Sequence, residues 1–432
     1  MKLLPHQIDL LSKTSDKNRV AYFADMGLGK TFIGSEKSMR LETRVILIVC
    51  QKSKINDWKE HYLNEYAIVS YDLTKTNEFN SFMLWASIPK YGVIVGIINY
   101  ELAWRREDLL NLQDFTLMLD ESSLIQNDKA KHSKFILKLK PSNVILLSGT
   151  PCSGRYQNLW SQGKLLGWDI SKKLYESQYI NYDLVDFGTG VKVRVVNKQN
   201  PYKNVERLKT KLREHGAVFL KTEDVIDLPK QNFIPIMVDK PKQYKELMKD
   251  SYTKIGDTEF IAMTSLTKRL YARQIASGYN KHKLEAVNDL IASTNDRLII
   301  FYNFNQEYSA LRKICEAHNR PISTVNGMVK DLSAFESESD AIALIQYQAG
   351  AMGLNLQIAN KIIYFSLPER SELFEQSKKR IHRLGQETSC FYYLLMAKDS
   401  VDEAIYKALE QKRDFTDELF KECDTYRRRE KL

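Results

Sequence analysis

The chain is poor in the residues that build metal and disulfide frameworks: 432 residues carry five cysteines and seven histidines. Cys50, Cys152, Cys315, Cys390 and Cys423 stand far apart and form no CxxC pair. That spacing excludes a zinc ribbon and a disulfide scaffold, and it fits a reducing compartment. The scattered histidines add no metal-ligand spacing. No apolar run approaches the roughly 20 residues that a membrane helix needs. The opening "MKLLPHQIDLL" is too short and too polar for a signal peptide. Internal repeats and low-complexity tracts are also missing, which excludes solenoids and linker-like chains. A cytoplasmic protein with no membrane partner is expected.

What is present points to an ordinary globular protein of more than one core. The length suggests two domains, and an apolar fraction of 43% excludes large-scale disorder. Lys plus Arg number 64 against 54 for Asp plus Glu, a surplus of +10 that suits a polyanionic partner without proving one. Four continuous apolar runs in the first third, 44–50, 92–98, 115–120 and 143–149, read as buried strands of a parallel sheet covered on both faces. From 281 the rhythm returns, with strands expected at 296–304, 341–348, 360–367 and 390–396. The middle is rich in Lys, Tyr and Glu. It reads as a helical insertion with amphipathic helices in "NVERLKTKLREHG" and "PKQYKELMKDSYTKI" and a small hairpin at 188–197. The expected class is α/β: two lobes with parallel sheets, 1–165 and 281–432, a helical insertion and linking segment at 166–280, and a C-terminal helix.

The chemistry should lie at strand ends, because ligands of such sheets bind at their carboxyl edges. "AYFADMGLGKTFI" follows a strand and opens a helix, so Ala24-x-x-x-x-Gly29-Lys30-Thr31 reads as a phosphate loop. Backbone N–H groups of Met26, Gly27, Leu28 and Gly29 would cradle phosphates, Lys30 would reach the β- and γ-phosphates, and Thr31 would hold Mg²⁺. "FTLMLDESS" ends a strand in two carboxylates. Asp120 is expected to bind Mg²⁺ and Glu121 to orient or deprotonate the attacking water. The turn "LLSGTP" (146–151) is either a tight turn or a hydrogen-bonded relay that senses the phosphate state. In "EQSKKRIHRLGQ", Gln376, Arg380 and Arg383 fall at i, i+4 and i+7, one face of a helix. Such arginines can stabilise charge on a γ-phosphate if the second block meets the first, and the lysines between them read as solvated charges on other faces.

This order of motifs resembles the superfamily-two helicases and, within them, the Swi/Snf-type ATPases, whose fold is two RecA-like lobes. Gln7 in "LLPHQ" is similar to the adenine-reading glutamine. "DMGLGKT", "DESS" and "LLSGTP" resemble motifs I, II and III. "GAMGLNLQIAN" with Gly353 resembles motif V, and "EQSKKRIHRLGQ" resembles motif VI. "IINYELA" and "FLKTEDVIDLPKQ" are similar to segments particular to the Swi/Snf branch. The resemblance covers nearly the whole chain and implies a minimal ATP- and Mg²⁺-dependent motor on double-stranded or forked DNA. It implies a monomer of prokaryotic or phage source, in which the tail helix braces the lobes or binds a partner. By position, DNA contacts are expected at Lys52, Ser53, Asn99, Tyr100, Thr150, Asn303, Gln348 and Gly350. Ser122 and Ser123 replace the usual Ala-His, which puts coupling through that histidine in question. The alternatives are a strand-unwinding helicase of the same superfamily and a non-catalytic scaffold on a motor fold.

Overall fold

The computed structural model describes residues 2–88, 92–186, 188, 190–350 and 354–420. Two compact units divide between Val225 and Ile226. In the first, β1 (Arg19–Ala24), β2 (Val45–Cys50), β3 (Tyr71–Asp72), β4 (Ile94–Asn99), β5 (Phe115–Asp120) and β6 (Asn143–Ser148) build one sheet. The hairpin strands β7 (Tyr182–Asp186) and β8 (Lys192–Val196) stand apart from it, and β9 (Ala217–Leu220) rejoins it. The order is β3-β4-β2-β5-β6-β1-β9, all parallel. Alternate residues of its strands feed separate cores. Phe23, Leu47, Leu117 and Leu146 enter one, while Tyr22, Ile46, Met118 and Ile145 enter another. Covering both faces is what turns these strands into unbroken apolar runs.

The second unit repeats the plan. It contains β10 (Gln231–Val238), the hairpin β11 (Tyr252–Ile255) and β12 (Thr258–Ile261), then β13 (Leu298–Tyr302), β14 (Ile322–Val325), β15 (Lys330–Asp331), β16 (Ile342–Gln346), β17 (Lys361–Tyr364) and β18 (Cys390–Ala397). The sheet order is β10-β18-β17-β13-β16-β14-β15, parallel except for the last pair. Ile299 and Phe301 face one core, and Leu298, Ile300 and Tyr302 the other. All eight strands expected from apolar runs form within a few residues of their expected bounds.

The segment 166–280 is not wholly a helical insertion. It holds helices Lys172–Tyr179, Val205–Glu214, Lys242–Asp250 and Ser265–Ala276, but it also gives β9 to the first sheet and β10 to the second. The units therefore meet in sequence at 225/226 rather than at 165 and 281. β10 occupies an edge, where Pro235 lacks only a donor that the ladder does not need. The hairpin expected at 188–197 forms further upstream: β7 precedes that stretch and only β8 lies within it. "PKQYKELMKDSYTKI" is helical only to Asp250: Ser251 takes a left-handed φ of 59° and the chain enters β11. Among the described residues no helix is long and apolar enough to cross a membrane.

Candidate active site

Strand β1 delivers the chain into the loop 25–29 and then α2 (Lys30–Arg40). Gly27 (φ 88°) and Gly29 (φ 72°) adopt left-handed conformations that let the loop fold over the first turn of the helix. Gly29 has a second constraint. A Cβ there would lie 2.2 Å from Gln7 Nε2. Gln7 is buried in α1 (Pro5–Lys13), and its Nε2 donates to Leu28 O at 3.1 Å. His6 Nε2 stands at the same distance from that carbonyl. The expected base-reading glutamine is thus docked on the phosphate loop. Lys30 Nζ folds back to donate to Ala24 O (2.8 Å) and Asp25 O (3.0 Å). Asp25 is itself braced by Thr222 N, which donates to its Oδ2 at 3.0 Å. Met26, half-buried, and Thr31 at the start of α2 complete the loop as expected.

Asp120 and Glu121 leave β5 at the same edge. Residue 23 pairs with Ser148, and Leu147 pairs with Asp120, so β6 lies between the loop and the two carboxylates. Burial raises both carboxyl groups above the usual carboxylate range, and the charge of Lys30 offsets part of that rise. Glu121 sits in a left-handed conformation (φ 57°, ψ 58°), unusual for a side chain of its size. Ser148 Oγ (2.9 Å) and Ser123 Oγ (3.0 Å) both donate to Glu121 Oε1. Thr150 N donates to Ser148 Oγ at 3.2 Å. A second bridge runs beside this one. Ser122 Oγ donates to Gln162 Oε1 (2.8 Å), and Gln162 Nε2 donates to Pro151 O (2.7 Å), all buried. Hydrogen bonds thus run from Glu121 into the turn "LLSGTP", and the two serines found in place of Ala-His take part in them.

Two side chains bonded to these segments lie outside the motifs. Trp58, in α3 (Ile55–Tyr66), donates from Nε1 to Asp120 Oδ2 at 2.9 Å. Gln162 lies in a helix beyond any quoted motif. The only sequence signal for either is a large or amide side chain in a run destined for the carboxyl edge.

The expected DNA contacts divide by exposure. Lys52 and Ser53 are exposed just after β2. Asn99 is buried, with Nδ2 donating to Glu101 Oε2 (2.7 Å). Tyr100 is also buried and donates to Asp120 O (2.9 Å), so its side chain supports the carboxylates instead of meeting solvent. Thr150 is buried too. In the second unit, Asn303 follows β13, and its Nδ2 donates to Ser366 Oγ (2.8 Å) and Leu367 O (3.1 Å). It shares a cavity of about 150 Å³ with Gln346, exposed Gln348 and Arg370. Gly350 ends the short helix Tyr347–Gly350, and Gly353 lies outside the described residues.

The expected helical face of Gln376, Arg380 and Arg383 does not form. The helix Ser371–Lys378 ends before either arginine. The chain then turns, with Arg380 N donating to Ser377 O and Gly385 at φ 95°. Long-range hydrogen bonds override the local period. Arg380 Nη1 donates to Leu354 O (3.4 Å) and Arg383 Nη1 to Asn355 Oδ1 (2.7 Å). Gln386 Nε2 donates to Ala359 O (2.9 Å). The two guanidiniums still come to one neighbourhood, through the segment 354–355, and Gln376 stays on the helix, half-buried. Lys378 is not a solvated charge. It is buried over Phe233 and Phe374, paired with Glu375 Oε2 at 2.7 Å.

The family model of the SNF2-related domain matches residues 10–320, and that of the helicase conserved C-terminal domain matches residues 282–385. An uncharacterized ATP-dependent helicase of Bacillus subtilis is 24% identical, across 98% of this chain and 80% of its own length. A putative ATP-dependent helicase/translocase of the same bacterium is 23% identical, across 91% of this chain and 46% of its own. The Caenorhabditis elegans homolog of SWI/SNF-related matrix-associated actin-dependent regulator of chromatin subfamily A-like protein 1 is 22% identical, across 100% of this chain and 64% of its own. The chain therefore spans most of one curated relative and about half to two thirds of the other two. Among solved structures, the SWI2/SNF2 ATPase core of Sulfolobus solfataricus in complex with dsDNA aligns with a TM-score of 0.46 and 21% identity, covering 96% of this chain and 92% of that one.

Proposed function

Because the chain belongs to the SNF2-related family of nucleic-acid-dependent ATPases, we propose that it is a motor that spends ATP on translocation along double-stranded DNA. One observation carries the reading. Lys30, Asp120 and Glu121 gather at one sheet edge, with Glu121 held by two hydroxyl donors that lead into the turn 148–151. The donor set fits a magnesium nucleotide. The left-handed glycines and the N-terminus of α2 suit phosphate oxygens. Lys30 Nζ already satisfies two loop carbonyls, the kind of acceptor that phosphate oxygens would replace. Thr31 and Asp120 would hold the metal, which when bound supplies charge neutralisation across the β- and γ-phosphates. Glu121 would orient or deprotonate the attacking water, and its buried setting favours taking up that proton. Gln7, at the loop, would contact the base.

Arg380 and Arg383 are proposed to act on the γ-phosphate from the second unit, with Gln376 near the nucleotide. Arg383 pairs with a side chain and is only half-buried, so it can exchange partners more readily than Arg380. Exposed Lys52, Ser53 and Gln348, with Asn303 and Gly350, are proposed to meet the DNA backbone, where phosphate contacts grip without reading sequence. The positive net charge supports that partner.

The test is steady-state ATP hydrolysis at fixed low salt with no nucleic acid, single-stranded DNA, duplex DNA, forked DNA and RNA in turn, paired with displacement of a third strand from a triplex. Stimulation by duplex or forked DNA together with triplex displacement is expected. Stimulation by RNA or single strands with separation of a labelled duplex would replace the translocase by an unwinding helicase. Negligible turnover in every condition would leave a scaffold on a motor fold.

A further inference from the structure

We infer that Trp58 is a positioning residue: its indole N–H fixes the carboxylate of Asp120 in the orientation that binds the metal. The inference rests on the proposed role of Asp120 and goes beyond it, because Trp58 belongs to neither the phosphate loop nor the carboxylate pair.

Trp58 is 1% exposed, and its Nε1 reaches Asp120 Oδ2 at 2.9 Å across 62 positions of sequence. An indole nitrogen can only donate, so this bond has one direction and serves the ionised carboxylate best. The ring has little freedom to move. His61 meets it edge-on at 5.9 Å and Tyr62 lies at 6.2 Å. Those two neighbours are tied to α2: His61 Nε2 lies 2.7 Å from Ser35 Oγ, and Tyr62 Oη 2.7 Å from Ser38 Oγ. The indole is thus clamped to the helix that begins with Lys30 and Thr31. Asp120 is held from behind as well, where Tyr100 Oη donates to its backbone carbonyl at 2.9 Å. With Oδ2 bonded to the indole and the Glu121 backbone N–H also bonded to the carboxylate, Asp120 is held from more than one side. A carboxylate free to rotate would have to be ordered when the metal binds. Any buried indole N–H needs an acceptor; here the acceptor is the carboxylate at the carboxyl edge of β5.

The experiment compares the full chain with Trp58→Phe, which keeps an aromatic ring and deletes the donor, and with Asp120→Asn. Mn²⁺ affinity in the presence of ADP and ADP affinity in EDTA are read for each. Trp58→Phe should weaken Mn²⁺ about tenfold and spare metal-free ADP binding. If Trp58→Phe lowers thermal stability but leaves Mn²⁺ affinity where it was, Trp58 only packs and the inference fails. If Asp120→Asn also leaves Mn²⁺ affinity intact, the underlying reading of the site fails as well. A second measurement does not require Trp58→Phe to fold. In wild-type protein labelled at its five indole nitrogens, one N–H resonance should shift on adding Mg²⁺ and ADP and lose its downfield position in Asp120→Asn. No such resonance would overturn the inference.

Discussion

At the scale of single residues, the site is governed by the cost of burying charge. Glu121 is surrounded by protein, and burial lifts its carboxyl above the usual range while Lys30, Ser148 and Ser123 pull it back. The native state therefore binds this proton more tightly than the unfolded chain, whose carboxyl titrates near pH ~4.3. Between the two pKa values stability falls as pH rises, so the ionised form is a burden at neutral pH. Glu121→Gln should then abolish turnover, by at least about 100-fold, while the melting temperature holds or rises. Calorimetry beside an ATPase assay checks both halves, and a clear drop in melting temperature would contradict the electrostatic account. The same shift predicts that wild-type turnover declines on the acid side at a higher pH than an ordinary glutamate would give. For the arginines, Arg383→Ala should cut single-turnover hydrolysis about 10³-fold, as removal of a charge-stabilising arginine does elsewhere. Nucleotide binding measured by fluorescence titration should change little.

Secondary-structure elements show how far the sequence could be read. The eight central strands were legible because both faces of each sheet are covered, so their signal is an unbroken apolar run. The edge strands β9 and β10 were not. They bury fewer of their residues, and they lie in a charged segment whose local pattern favours helix. Lys30, Asp120 and Glu121 were legible for a similar reason: short motifs at strand ends fix their own geometry. The face of Gln376, Arg380 and Arg383 was misread because helical spacing says nothing about where a helix stops. Here Leu354, Asn355 and Ala359, distant in sequence, claim the side chains that follow Lys378. Trp58, Gln162 and a buried pair in the second unit share that invisibility, since each depends on a partner far along the chain. In that pair Lys283 Nζ, with no exposed surface, meets Asp402 Oδ2 at 2.7 Å and donates to Phe365 O at 3.1 Å. It joins the helices Lys281–Ala292 and Val401–Phe420 to the end of β17. Asp402→Ala strands a buried ammonium and should cost about 3–5 kcal/mol in urea unfolding, whereas the joint exchange Lys283→Met with Asp402→Leu should recover only part of that, because the Ala397 N–H and the Phe365 carbonyl lose these partners.

The whole molecule carries a modest surplus of +10 charges. Buried or paired cations such as Lys283, Lys378 and Arg320 are spent on the fold and give nothing to a ligand. What remains for the proposed DNA partner is a set of exposed side chains, with Lys52 at a carboxyl edge among them. Binding through such contacts releases counterions, so log affinity should fall linearly with log salt, with a slope of about −0.9 per phosphate neutralised. A motor that grips a backbone at about six to ten phosphates would lose roughly 10³- to 10⁵-fold in affinity between 50 and 200 mM salt. Lys52→Ala should make the slope shallower by about one and weaken all duplex sequences alike, because a phosphate contact carries no base information. Fluorescence anisotropy with two unrelated duplexes across a salt series measures both effects. An unchanged slope in Lys52→Ala would remove that lysine from the DNA path. A loss confined to one duplex would mean that the protein reads bases, which a motor moving along arbitrary sequence cannot depend on.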